Sequence, residues 1–106
     1  MNVRQQSVLR ARAAVIKALA HPTRLFIVEE LARSEHCVAE LTEMVGADMS
    51  TVSKHLSILK EAGIVDSAKR GAQVYYNLRV PCILNFFGCV EAVLEEKARG
   101  RAAVVG

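Results

Sequence analysis

The chain has 106 residues, the length of one domain, and a globule of this size buries about 65% of its unfolded surface. With 52% apolar and 24% charged residues its overall composition is that of a packed globule and not of a disordered chain. A net charge of +3, from 14 basic and 11 acidic residues, favours polyanionic partners without proving nucleic-acid binding.

From about Val3 to Ala20 the sequence is rich in Ala, Arg, Leu and Gln, lacks Gly and Pro, and places Val8, Val15, Ile16 and Leu19 near helical spacing. It has no long apolar stretch ending in a small-residue cleavage site, so no secretory signal is read there and the expected compartment is the cytoplasm. His21-Pro22-Thr23 interrupts this helix, since the residue before proline avoids the helical region while proline suits a first helical turn. A second helix follows from about Pro22 to Arg33, with Leu25, Ile27, Val28, Leu31 and Ala32 on its buried side. After a polar break at Ser34 to His36, Val38, Leu41, Met44 and Val45 mark a short third helix that stops at Gly46.

Asp48 or Ser50 supplies a capping oxygen for the next helix, which runs to about Ala62 and ends at Gly63. At 100° per residue, Val52, Leu56 and Leu59 share one side, and Ser50, Ser53, Lys54 and Ser57 lie opposite. Ile64 and Val65 then open a strand, Lys69-Arg70-Gly71-Ala72 reads as a basic turn, and Gln73 to Leu78 returns as a second strand. Tyr75 and Tyr76 alternate across it, so one faces the core and the other the outer face. Residues 48–80, which hold this helix and hairpin, carry five basic and three acidic groups. Pro81 starts a last helix, from about Cys82 to Ala98, whose apolar residues cover most of its circumference. Its longest uncharged run, Val80 to Val90, is 11 residues, short of the ~20 a bilayer-spanning helix needs, so no membrane partner is expected. Residues from about 99 to 106 are expected to form a flexible tail.

The order helix, helix, helix, turn, helix, hairpin, helix predicts a single winged helix-turn-helix domain over 1–106: mainly α, with a small β-hairpin wing. A helix bearing short polar side chains fits the major groove of DNA, about 12 Å wide, and a basic wing adds phosphate contacts. A last helix apolar nearly all round needs neighbours on two sides, and the simplest second neighbour is another copy of the chain. A homodimer through the first and last helices is therefore expected. No Ser/His/Asp or paired-carboxylate arrangement and no glycine-rich phosphate loop appears, so the chain is not read as an enzyme.

Four segments together carry a family resemblance: Leu19-Ala20-His21-Pro22-Thr23-Arg24-Leu25, Cys37-Val38-Ala39-Glu40-Leu41, Ser50 through Gly63, and Gln73-Val74-Tyr75-Tyr76. In this order they resemble the ArsR/SmtB family of metal-, metalloid- and thiol-responsive repressors, over roughly residues 14–80. The resemblance implies a homodimeric repressor that binds double-stranded operator DNA and is released by an effector. Carried over position by position, it implies DNA contacts from Ser50, Thr51, Ser53, Lys54 and His55, and from Lys69, Arg70 and Gln73 on or beside the wing. Lys54 and Arg70 are read as lone cations, and His55 has the alternative of packing between helices.

The cysteines bear on the effector. Relatives that bind arsenite or antimonite carry a Cys-Val-Cys-x-x-Cys pattern in the third helix; here Cys37 matches, but Ala39 and Thr42 occupy the other two places. The last helix has no histidine for a zinc or nickel site. The remaining sensor candidates are Cys37, Cys82 and Cys89. Cys82 and Cys89 are seven residues apart, about 10.5 Å along a regular helix, so one ion would need Cys82 held in extended chain before the first turn or cysteines from two subunits, and a disulfide meets the same obstacle. Cys37 reads as exposed, Cys89 as a small buried hydrophobe, and Cys82 as a thiol whose pKa the helix dipole lowers. As(III) or Sb(III) bound by cysteine thiolates is the favoured effector. A thiol oxidant or persulfide is the alternative, as is a winged-helix protein-interaction module with structural cysteines. No cofactor is expected to be required for DNA binding.

Overall fold

The computed structural model describes the backbone of residues 1–105 and the side chains of residues 1–101. Five helices and a three-stranded antiparallel sheet follow one another as α1 (Val3–Leu19), α2 (Pro22–Arg33), β1 (His36–Cys37), α3 (Val38–Val45), α4 (Met49–Glu61), β2 (Val65–Arg70), β3 (Gln73–Leu78) and α5 (Ile83–Val105). The expected winged helix-turn-helix is therefore the architecture observed.

Local chemistry sets the boundaries. Asn2 and Gln5 form a reciprocal capping box on α1, and Pro22 occupies the first turn of α2 behind the capping residue His21. Gly46 ends α3 at a φ of 77°, a left-handed conformation that glycine adopts without steric cost. Asp48 caps α4: its Oδ1 accepts from the Thr51 amide at 2.8 Å and from the Ser50 hydroxyl at 2.8 Å. Asp48 is thus the cap, and Ser50 supports it.

One core unites α2, α3, α4 and the base of the hairpin. Ile27, Val28, Leu41, Val52, Leu56 and Leu59 are fully buried, joined by Ile64, Val65 and Leu31. Ala32, expected on the buried side of α2, is exposed because the core-facing arc of that helix is filled by the larger Ile27, Val28 and Leu31.

The sheet order is β1-β3-β2, with β1 pairing His36 to Tyr76 and Cys37 to Tyr75. This two-residue strand lies where a polar break is expected. Lys69 and Arg70, expected in the turn, belong instead to β2, since Arg70 pairs directly with Gln73 and leaves only Gly71 and Ala72 to reverse the chain. Gly71, at a φ of 61°, supplies the positive φ such a tight hairpin needs.

The outer helices are only partly covered. On α1, Val8, Val15 and Ile16 are exposed although apolar, and on α5 so are Leu84, Phe86, Val90, Val93 and Leu94. Ile83 and Phe87 are the α5 residues that pack against the core. The radius of gyration is 16.9 Å, against about 13 Å for a compact chain of this length, because α1 and α5 project from the core. Helix α5 runs to Val105, so residues 99–105 are helical backbone where a flexible tail is expected; Gly106 lies outside the described residues. Among the described residues, no helix is long and apolar enough to cross a membrane.

Candidate functional site

The exposed face of α4 is built by what the opposite face buries. Val52, Leu56 and Leu59 anchor the helix in the core, which leaves Ser50, Thr51, Lys54 and Ser57 exposed and Ser53 half-buried beside them. Neutral hydroxyls and one ammonium therefore line this face from Ser50 to Ser57, with Ile58 and Glu61 exposed toward its end. Such a surface fits the major groove, where short hydroxyl side chains reach base edges and a lysine meets phosphate. The Asp48 carboxyl at its start is held below the usual carboxylate range, chiefly by the Thr51 amide and the Ser50 hydroxyl.

His55, expected on this face, turns toward α2 instead. Its ring lies 4.4 Å from that of His21, and its Nδ1 faces the Arg24 guanidinium at 3.1 Å, while Arg24 Nε donates to the Ala18 carbonyl at 2.6 Å. A guanidinium only donates, so His55 Nδ1 is the acceptor and the ring is neutral in this arrangement. His21 Nδ1 likewise accepts, from the Thr23 amide at 3.1 Å. These contacts give His55 the helix-packing role that was its alternative, tying α4 to the ends of α1 and α2.

Burial, then the neighbouring charges of His21 and Arg24, push the His55 pKa below its ordinary value of 6.5. A base with a depressed folded-state pKa protonates first in the unfolded chain. Its contribution is complete above about 6.5 and is lost as the pH falls from there to the folded-state value. Denaturant unfolding at pH 7.5 and 5.5 is expected to show lower stability at 5.5, with a smaller difference in His55→Gln. An equal difference in that variant would remove His55 as the cause. The carboxyls of Glu35, Glu40 and Asp48 are also held low, by Arg70, the Cys37 amide and the Thr51 amide respectively, and their contributions disappear only at more acidic pH.

The wing places Lys69 and Gln73 in the open. Arg70 is exposed but not the lone cation expected. Its guanidinium makes a two-pronged ion pair with Glu35, with Nη2 to Oε2 at 2.9 Å, and its central carbon lies 4.8 Å from the Tyr75 ring centroid. Tyr76 packs toward the core and Tyr75 lies on the outer face, as their alternation predicts.

The cysteines reverse two expectations. Cys37, read as exposed, is buried because its strand pairing with Tyr75 and its place at the start of α3 enclose it. Cys89, read as buried, is exposed on the protomer because α5 covers the core with only Ile83 and Phe87. Cys82 is exposed and sits one residue before α5. Among the described residues, no three His, Cys, Asp or Glu side chains gather into a metal-binding group.

Comparison with known proteins places these features in a wider set. The model described as "Bacterial regulatory protein, arsR family" matches residues 21–67. The chain is 40% identical over 73 residues to the HTH-type transcriptional repressor SmtB of Mycobacterium tuberculosis, covering 69% of this chain and 54% of that protein. It is 32% identical over 97 residues to the HTH-type transcriptional regulator Rv0081 of the same organism, covering 91% of this chain and 85% of the other. The chain thus spans about half the length of SmtB and most of Rv0081. Among solved structures it is similar to the homodimeric winged helix-turn-helix DNA-binding domain Mb0332 of Mycobacterium bovis, described as a possible ArsR-family regulator. The TM-score is 0.78 at 30% identity, covering 94% of this chain and 93% of that one. The crystal structure of NolR from Sinorhizobium fredii matches with a TM-score of 0.80 at 25% identity, covering 88% of this chain and 93% of the other.

Proposed function

The chain belongs to the arsR family of bacterial regulatory proteins, and from that premise we propose that it is a DNA-binding transcriptional repressor released by an effector acting on cysteine thiols. As a homodimer through α1 and α5, it sets two α4 helices into successive major grooves of a pseudo-palindromic operator. Ser50, Thr51 and Ser53 meet base edges or sugar-phosphate, Lys54 meets phosphate, and Lys69 and Gln73 add contacts from the wing. The observation that carries this reading is the division of α4 into a fully buried apolar face and an opposite face that exposes Ser50, Thr51, Lys54 and Ser57.

The effector reading rests on Cys82 and Cys89, whose thiols are exposed at the start of the helix that also carries the uncovered apolar stripe. One protomer supplies two exposed thiols, so a three-thiolate site for As(III) or Sb(III) draws cysteines from both protomers. Arsenous acid would exchange its three hydroxides for the sulfurs of three cysteine thiols, whose protons leave with the hydroxides as three waters. A ligand formed at this interface changes the relative setting of the two α4 helices and weakens operator binding. Anisotropy of the protein on its own promoter DNA, titrated with arsenite and separately with a persulfide, tests this. Release by arsenite that is abolished in Cys82→Ser and Cys89→Ser is expected. Release by persulfide alone would assign the thiol-oxidant chemistry, and binding indifferent to both would make the cysteines structural.

A further inference from the structure

The wing carries two adjacent cations on opposite faces. In β2, Lys69 pairs with Val74, and Arg70 pairs with Gln73, so the two side chains leave the sheet in opposite directions. Ser67 shares the face of Lys69, and its hydroxyl accepts from Lys60 Nζ of α4 at 2.7 Å. Lys69 therefore projects on the side of the sheet that meets α4. Arg70 projects on the other side, where its side chain crosses β3 over Tyr75 and reaches Glu35, just before β1.

The upper wing needs such a tie. Strand β1 pairs only with Tyr75 and Tyr76, so Gln73 and Val74 near the tip have β2 as their one strand partner, and an isolated two-stranded ribbon is marginal in water. An exposed ion pair is weak when single-pronged, but a bidentate carboxylate and a stacked ring fix the guanidinium in position and orientation. The Arg70 pair holds the Glu35 carboxyl below its ordinary range, and Glu35 raises the Arg70 pKa in return.

We infer that Glu35, Arg70 and Tyr75 form a strut that sets the wing against the helical body, so that Glu35 and Arg70 are positioning residues and Lys69 is the wing's DNA-facing cation. The part of this inference that concerns DNA rests on the repressor reading above; the strut itself does not.

The test combines 15N relaxation of the free protein with operator binding as a function of salt. In Glu35→Gln, backbone order over residues 69–73 is expected to fall relative to the wild-type chain. Glu35→Gln and Arg70→Gln are each expected to weaken binding about threefold, the scale of an exposed pair, without changing the salt slope. Arg70→Lys, which keeps the charge but loses the fork, is expected to behave like Arg70→Gln. Unchanged order at 69–73 in Glu35→Gln would overturn the strut. Tighter binding by Glu35→Gln, or a salt slope smaller by about 0.9 in Arg70→Gln, would show that Arg70 is a phosphate ligand with Glu35 as its competitor. A wild-type chain that binds no DNA would sink the repressor reading, while the relaxation data would still decide the strut.

Discussion

Leu56→Ala is expected to destabilise the fold by about 2–5 kcal/mol, the cost of truncating a fully buried leucine and leaving a cavity. A domain of this kind has about 5–15 kcal/mol in total, so the loss is a large share of it. Leu56 stands between Val52 and Leu59 on the face of α4 that joins the core with Ile27, Leu41 and Ile64. The same substitution therefore loosens the helix that presents Ser50, Ser53 and Lys54. Denaturant unfolding at a fixed protomer concentration reads the effect, with Ser57→Ala as an exposed control on the same helix expected within about 0.5 kcal/mol of wild type. An unchanged midpoint for Leu56→Ala would mean that α4 does not pack through this face.

The second large effect is expected from charging the outer side of α5. Val90, Val93 and Leu94 are 43%, 58% and 52% exposed on the protomer, an apolar stripe left largely uncovered. The double substitution Val93→Glu with Leu94→Glu is expected to yield folded monomers, seen as a halved mass in sedimentation with the helical circular dichroism retained. Phe87 is a poorer probe, because it packs against the protomer's own core and its substitution would mix unfolding with dissociation. Separating the protomers also removes the second recognition helix from the same DNA molecule. Operator affinity is then expected to fall by about a hundredfold or more, the gain that linked binding sites supply. A variant that remains dimeric would move the interface away from α5.

What the sequence made legible is what local chemistry decides. Pro22 and Arg33 bound α2 as expected, Gly46 and Gly63 take positive φ at helix ends, and the 100° spacing on α4 separates its buried from its exposed residues. What it left unread depends on partners far along the chain. Strand β1 is two residues long and exists through Tyr75 and Tyr76, so no periodicity announces it. The same pairing buries Cys37. Arg70 looks like a free cation until Glu35, 35 residues earlier, is seen beside it, and the contacts of His55 with Arg24 and His21 likewise join residues far apart in the chain. Cys89 differs from its expectation for a related reason: an apolar helix implies burial, but α5 buries little of itself in its own protomer.

The central claim, that α4 is the DNA-reading surface of a dimeric repressor, is tested most directly by salt-dependent binding to the chain's own promoter duplex, for the wild-type protein and Lys54→Ala. Log affinity is predicted to fall steeply and linearly with log salt for the wild type. The slope should shrink by about 0.9 for each phosphate that the variant no longer neutralises. Binding that is insensitive to salt and to sequence, or a Lys54→Ala dimer with unchanged affinity and slope, would contradict the account.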